Sequence, residues 1–165
     1  MKKFTLLPAM VILVMFMTSC SSDPIDDKAA NMSTANLVVP QTKTIEIEIM
    51  ELINDYRLSK GLNPLNNVGI IKAQAFNHTE YMITYNNVSH DNFNQRKLFL
   101  ESSLGASNVS ENVAYGFTSA QTVVNAWLNS SNHKANIEGN FTDFDLSADQ
   151  NADGDWYYTN IFVKK

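Results

Sequence analysis

Residues 44–60 carry apolar side chains at the spacing of one helix face. Ile49, Ile53 and Tyr56 follow one another in steps of four and three, and Gly61 stands just beyond the pattern. Acidic residues come early in this stretch and basic residues late, which is the order that the helix dipole favours. The pattern therefore predicts an amphipathic helix that ends near Gly61.

Three further helices are predicted downstream. Residues 68–85 place apolar side chains and His78 on one face by steps of four, three and four. A shorter helix is expected over residues 95–104, with Gly105 as its stop. A fourth helix begins with the sequence Thr118-Ser119-Ala120-Gln121, which has the spacing of a capping box, and runs through Trp127.

The last third of the chain changes to a period of two, which is typical of strands. Phe144 and Leu146 alternate with polar residues before a turn at Asp153-Gly154, and an aromatic stretch ending at residues 161–163 follows. Another strand is expected over residues 109–115. Helices followed by late strands predict an α+β layered domain.

The N-terminus has the features of an export signal. Lys2 and Lys3 precede an apolar run over residues 4–17, which is too short to span a membrane comfortably. Small residues then lead into Cys20, a pattern that resembles the lipobox of bacterial lipoproteins. In such proteins the cysteine is acylated, and Ser21 beside it indicates the outer membrane. An ordinary cleaved signal is the alternative.

These features divide the chain into three parts. Residues 1–19 are expected to be a signal peptide, residues 20–41 a lipidated cysteine and a flexible polar tether, and residues 42–165 one domain. The membrane is thus an expected partner through Cys20, and the expected location is the cell envelope.

Composition limits the chemistry of the exported part. The chain has 12 basic and 17 acidic residues, so removal of the two signal lysines leaves a charge near −7. Such a surface is a poor binder of nucleic acid. With Cys20 used as an anchor, no cysteine remains for a disulfide, and the core must stabilise the domain alone.

Three segments carry candidate chemistry, and together they resemble a known family. They are Ser89-His90, the sequence SENVAYG over residues 110–116, and the sequence AWLNSSNHKANI over residues 126–137. Behind a helix containing LINDYR, and before the ending YYTNIF, they resemble the CAP superfamily of cysteine-rich secretory, antigen 5 and pathogenesis-related proteins. The resemblance covers residues 45–162.

The resemblance implies a three-layer α-β-α sandwich with a surface cleft. His90, Glu111 and His133 match the cleft positions of the family. Two residues depart from it: Ser110 replaces a glycine, and Ser130 stands where animal and plant members supply a second glutamate.

Two imidazoles and one carboxylate are a suitable ligand set for zinc or another divalent cation, with one coordination position left open. His90, Glu111 and His133 are therefore a candidate metal site. The same three side chains could instead orient a water or a polar ligand by hydrogen bonds.

Other conspicuous residues have structural interpretations. His78 and Trp127 lie on apolar helix faces and are expected in the core. The sequence Asp149-Gln150-Asn151-Ala152-Asp153-Gly154 matches half of a calcium loop, but position twelve is Asn160 rather than a carboxylate. A hairpin turn is therefore favoured over a calcium site.

The expected function is a ligand- or partner-binding module that holds a small molecule, a lipid or an envelope component in the cleft. An enzyme is disfavoured because no Ser-His-Asp order, His-Glu-x-x-His helix or nucleophilic cysteine is present. A metal-dependent, peptidase-like hydrolase that uses the same cleft is one alternative, and a structural envelope protein is another.

Overall fold

The computed structural model describes residues 37–165, which belong to one unit spanning Met32–Lys165. The predicted signal peptide, the lipidation at Cys20 and most of the predicted tether lie outside the described residues, so they stay predictions. Within the described part of the chain, no helix is both long and apolar enough to cross a membrane.

Five helices and four strands make up this part of the chain. The four predicted helices and three predicted strands are confirmed, with bounds shifted by a few residues. A two-residue strand and a seven-residue helix were not predicted, because both are too short to show a period. The elements are α1 (Thr44–Ser59), β1 (Asn66–Asn67), α2 (Gly69–Tyr85), α3 (Phe93–Leu104), β2 (Asn108–Tyr115), α4 (Ala120–Asn129), α5 (Ser131–Ile137), β3 (Asp143–Gln150) and β4 (Trp156–Lys164).

The strands form one sheet in the order β1-β3-β4-β2. The short β1 pairs parallel with β3, whereas β3 and β2 each pair antiparallel with the central β4. α1 and α4 pack on one face, and α2 and α3 pack on the other. This is the three-layer α-β-α sandwich that was expected.

Successive side chains of each strand point to opposite faces of the sheet, so apolar residues form a core on each face. The larger core includes Ile53, Trp127, Phe144 and Phe162 between the sheet and α1 and α4. Trp127 is buried as predicted, and its indole nitrogen donates a 3.2 Å hydrogen bond to the carbonyl of Val113. This bond ties α4 to β2.

A predicted helix cap and a predicted hairpin turn are confirmed with small differences. Ser119, one residue later than the predicted cap, accepts from the amide of Thr122 at the start of α4. The β3–β4 hairpin turns through residues 151–155, where Oδ1 of Asn151 accepts from the amides of Asp153 and Asp155 at 3.1 and 2.8 Å. These bonds explain the Asn-x-Asp-Gly sequence without a metal.

Side chains replace a neighbouring strand at the edge of β3 beyond β1. The amide of Ala148 donates to Oε1 of Glu46 at 2.9 Å, and its carbonyl accepts from Nζ of Lys43 at 2.9 Å. Nζ of Lys72 donates to the carbonyl of Leu146 at 2.7 Å and forms an ion pair with Glu46. Unpaired edge groups invite association with other chains, so this arrangement seals the edge.

Candidate functional site

The opposite edge of the sheet, formed by β2, carries the buried carboxylate of Glu111. Its side chain is 1% exposed, and Arg96 of α3 binds it through two nitrogens. Nε donates to Oε2 at 2.9 Å and Nη2 donates to Oε1 at 2.8 Å. This two-nitrogen geometry is the strongest form of arginine–carboxylate pairing.

His90 joins this pair from the loop between α2 and α3. Its Nδ1 lies 2.9 Å from Oε1 of Glu111, while 52% of its side chain is exposed. Nη1 of Arg96 also donates to the carbonyl of Asp91 at 2.7 Å, which holds the loop in place. His90 is therefore fixed on its inner side and open to solvent on its outer side.

His78 of α2 lies beneath the same carboxylate. The expectation of a buried, hydrogen-bonded core histidine is confirmed, because Nε2 lies 2.7 Å from the carbonyl of Ser89. A carbonyl only accepts, so this contact makes Nε2 the protonated nitrogen. The same nitrogen is 3.8 Å from Oε1 of Glu111, so His78 also contributes to the electrostatics of the site.

The charges of the network reinforce one another. Burial alone would raise the pKa of Glu111, but hydrogen bonds from His90 and Arg96 and the charge of Arg96 hold that pKa below its usual value. Burial lowers the pKa of His78, although Glu111 opposes the effect. At neutral pH the network is therefore an ionised carboxylate, a guanidinium and a neutral buried imidazole.

His133 lies on α5 and does not hydrogen-bond to Glu111. Its pKa is lowered by burial and, to a smaller extent, by the charge of His90, so the two imidazoles interact electrostatically. Nδ2 of Asn112 donates to the carbonyl of His133 at 3.0 Å, and Nδ2 of Asn136 donates to Oδ1 of Asn112 at 2.8 Å. These amides fasten α5 to β2 and position His133.

A cavity of about 280 Å³ opens at this edge. Oγ of Ser110 is buried there without a hydrogen-bond partner among the described residues. The cavity thus has charged, amide and apolar residues in its lining. It is lined by His90, Phe93, Val109, Ser110, Glu111 and Asn136.

The arrangement does not fit a three-ligand metal site. Both oxygens of Glu111 are engaged by Arg96, and one also contacts His90. Over residues 37–165, no three His, Cys, Asp or Glu side chains are grouped so that they could hold a metal ion. The zinc site predicted for His90, Glu111 and His133 stays a prediction, and it would require Arg96 to release the carboxylate.

The structure thus brings His90 and Glu111 together, places His133 nearby, and adds Arg96, which the sequence analysis missed. One signal could have identified it. Phe93, Arg96 and Leu100 follow one another in steps of three and four, so Arg96 lies on the inward face of α3. A buried carboxylate needs a cation, and this arginine is the inward-facing one.

Comparisons with known proteins agree with this architecture. The model of the cysteine-rich secretory protein (CAP) family matches residues 50–162, so the chain belongs to that family. The uncharacterized membrane protein YlbC of Bacillus subtilis (strain 168) is 30% identical over 126 residues, which cover 74% of this chain and 35% of that protein. The chain thus spans about a third of the length of this curated relative.

Solved structures share the fold. An outer surface protein from Borrelia burgdorferi has a TM-score of 0.68 at 21% identity, covering 76% of this chain and 96% of that one. An extracellular protein with an SCP domain from Bacillus anthracis has a TM-score of 0.61 at 26% identity, covering 73% and 40%. A cysteine-rich secretory protein from Staphylococcus aureus has a TM-score of 0.60 at 25% identity, covering 78% and 40%.

Proposed function

We propose that this chain is an exported, lipid-anchored CAP domain that binds a small ligand in the cleft at the β2 edge. The observation that carries the proposal is the engagement of both oxygens of Glu111 by Arg96 and His90. A carboxylate held in this way is a scaffold that orients His90, not a base that is free to accept a proton from a reacting group.

The ligand that suits the cleft has a polar group beside an apolar part. The outer nitrogen of His90 and the amide of Asn136 can hydrogen-bond to the polar group, and Phe93 and Val109 provide apolar contact. A small lipid or envelope metabolite has this chemistry.

The hydrolase alternative has less support. A nucleophile needs an adjacent free base, and the hydroxyl of Ser110 has no hydrogen-bond partner among the described residues. A metal-activated water would need a group of ligands that the described residues do not form.

Export is proposed from the signal-like N-terminus and from the extracellular or surface proteins among the structural relatives. A diacylated cysteine supplies enough membrane affinity for stable anchoring. Cys20→Ser should therefore move the protein from the membrane fraction to the soluble fraction. Retention of the variant on membranes would contradict lipid anchoring.

Native mass spectrometry of protein purified from its own envelope tests the binding function. We expect a small-molecule adduct on the wild type and on Asn87→Ala, a control in the same exposed loop, and its loss from His90→Ala. Casein incubated with the same proteins provides the opposing test. Cleavage by the wild type that disappears in His133→Ala would overturn the binding proposal and favour a hydrolase.

A further inference from the structure

The chain enters the described part of the domain at one end of the sheet, which we call the tether end. This end is formed by the first residues of β1 and β3 and the last residues of β4. Val39 lies beside Gly69, the first residue of α2, since a Cβ atom on that glycine would come within 3.5 Å of the valine side chain. Because α2 follows β1 after a single residue, the predicted tether joins the domain at this end.

Two neighbouring lysines lie at the tether end. Lys164 ends β4 and Lys165 follows it. Nζ of Lys164 lies 3.4 Å from Oδ1 of Asn140, in the loop before β3, and Nζ of Lys165 lies 3.3 Å from Oδ1 of Asp143, the first residue of β3. These contacts hold both ammonium groups at this end, and 41% of the Lys165 side chain is exposed.

The last turn of α1 also belongs to the tether end. Nη1 of Arg57 donates to the carbonyl of Gly139, in the loop before β3, at 3.0 Å. Lys60, which caps the helix, and Leu58 are both exposed, and Val38 in the entering segment is 72% exposed. Lysines beside exposed aliphatic side chains are typical of surfaces that lie in the headgroup region of a membrane.

The tether end has an excess of positive charge, although the chain as a whole is acidic. Two carboxylates of this end, Asp143 and Glu138, are each paired with a lysine. Nζ of Lys164 contacts an amide oxygen, and Nζ of Lys60 lies over an aromatic ring. Neither of these two lysines has a carboxylate partner in the part of the chain that the structure describes, so their charge is available to a partner.

The other end of the sheet has the opposite charge. The β3–β4 hairpin there carries Asp149, Asp153 and Asp155, with Lys43 paired to the first of them. Glu80 of α2 is close enough that burial and the charge of Asp149 raise its pKa. A domain with one positive and one negative end turns its positive end toward an anionic surface.

An anionic bilayer matches a surface of lysines and exposed aliphatic side chains. We propose that the tether end docks on the anionic phospholipid surface in which Cys20 is anchored, with Lys60 and Lys164 among the headgroups. This docking rests on the proposed lipid anchoring. The 16 residues 21–36 extend to at most about 60 Å, so the anchor alone does not force contact. It does hold the domain at an effective concentration of about millimolar, at which a weak attraction is sufficient.

Fluorescence quenching in vesicles tests the proposal. The acylated protein is reconstituted in vesicles of phosphatidylethanolamine and phosphatidylglycerol that contain a lipid with a spin-labelled headgroup. Cys20 is the only cysteine of the chain and is acylated, so one added cysteine can carry the fluorophore. Asn63→Cys places it at the tether end, where the carbonyl of Asn63 accepts from Arg57 at 2.8 Å, and Ala152→Cys places it on the hairpin. We expect strong quenching at residue 63 and weak quenching at residue 152; equal quenching would overturn the proposal.

Lysine variants of the Asn63→Cys protein test the role of charge. A lysine near an anionic membrane contributes about fivefold to binding, so Lys60→Gln and Lys164→Gln should each lower the ratio of docked to undocked molecules about fivefold. Lys97→Gln is the matched control, because it removes the same charge from α3. It should leave the quenching unchanged. Quenching that is unchanged in both tether-end variants would overturn the assignment.

Salt and flotation separate docking from anchoring. About 0.5 M sodium chloride screens surface charges, so it should remove the quenching at residue 63 while the acyl chains keep the protein on the vesicles. Failure of the wild type to float with the vesicles would overturn lipid anchoring and the docking with it. Flotation with quenching that persists in high salt, or in vesicles of phosphatidylcholine alone, would overturn the anionic surface as the partner.

Discussion

The two edges of the sheet use a buried ion pair in different ways. Each edge has a buried carboxylate paired with a long cation: Glu46 with Lys72 beside β3, and Glu111 with Arg96 beside β2. At β3 the pair also hydrogen-bonds to the strand backbone and is almost inaccessible to water. At β2 the pair supports His90, which is half exposed in a cleft.

The difference shows how a similar ion pair can serve stability or recognition. A carboxylate that bonds to its own sheet edge prevents pairing with other chains. A carboxylate that turns to an exposed imidazole orients a group that a ligand can reach. We therefore expect the β3 edge to dominate stability and the β2 edge to dominate binding.

The largest expected effect is at the sealed edge. Lys72→Met leaves Glu46 buried without its cation, which should lower the free energy of unfolding by about 3–5 kcal/mol. Urea unfolding measures this change. Lys97→Met removes a cation from a partly exposed pair with Glu101 and should cost less than about 1 kcal/mol. Equal losses in the two variants would show that the edge pair has no special role.

The second largest expected effect is a gain in stability on replacing Asp145. The pKa of Asp145 is about 6 in the fold against 3.8 ordinarily, so folding favours its protonated form. The charged form then costs about 3 kcal/mol at neutral pH, and this cost disappears as the pH falls from about 6 to below 4. Asp145→Asn should therefore stabilise the domain in urea at pH 7.5 but not at pH 3.5.

Asp153→Asn is the matched control, because Asp153 is exposed. The raised pKa of Asp145 would be contradicted if the wild-type protein were less stable at pH 5 than at pH 7.5 and Asp145→Asn abolished that difference.

The third effect is at the open edge. Arg96→Met leaves Glu111 with two histidines, so the loss at pH 7.5 should be about 2 kcal/mol, smaller than for Lys72→Met. The low pKa of Glu111 means that its pairing stabilises the fold above about pH 4 and is lost below. The deficit should therefore shrink as Glu111 is protonated in acid, and a deficit that does not change as the pH falls below 4 would exclude this pairing as its source.

The smallest effect concerns zinc. Because Arg96 holds Glu111, we expect equimolar zinc to change the melting temperature of the wild type by no more than about 1 °C, since fewer than three protein ligands bind the ion weakly. Differential scanning fluorimetry at pH 7.5 measures the change. A clear increase that both His90→Ala and His133→Ala abolish would instead establish the predicted three-ligand site.

The sequence predicted the elements better than the contacts at the two edges. The hydrophobic period of an element and the residues that cap it lie within the element itself. α1, α2 and the late strands could therefore be identified from their own residues. The partnership of Arg96 with Glu111 crosses from α3 to β2 and has no local signature beyond the inward phase of the arginine. Family resemblance supplied Glu111 and His90 but no counter-ion.

The sealed edge was hidden from the sequence for a related reason. Glu46 lies in the first turn of α1, where the helix dipole explains an acidic residue by itself, although its spacing from Ile49 and Ile53 places it on the inward face. Only the packing of α1 and α2 around β3 brings it to Lys72 and to the amide of Ala148. Residues far apart in the chain determine whether such a charge is solvated or buried.

The central position of β4 also governs the order in which the domain can form. β4 pairs with both β2 and β3, yet it follows every other described element along the chain. During synthesis, β2 is therefore made long before the strand that completes its hydrogen bonds, and the sheet stays incomplete until Trp156–Lys164 emerges. A sheet that closes so late keeps the domain from completing its fold until nearly all of the described residues have been made, which is compatible with the proposed export.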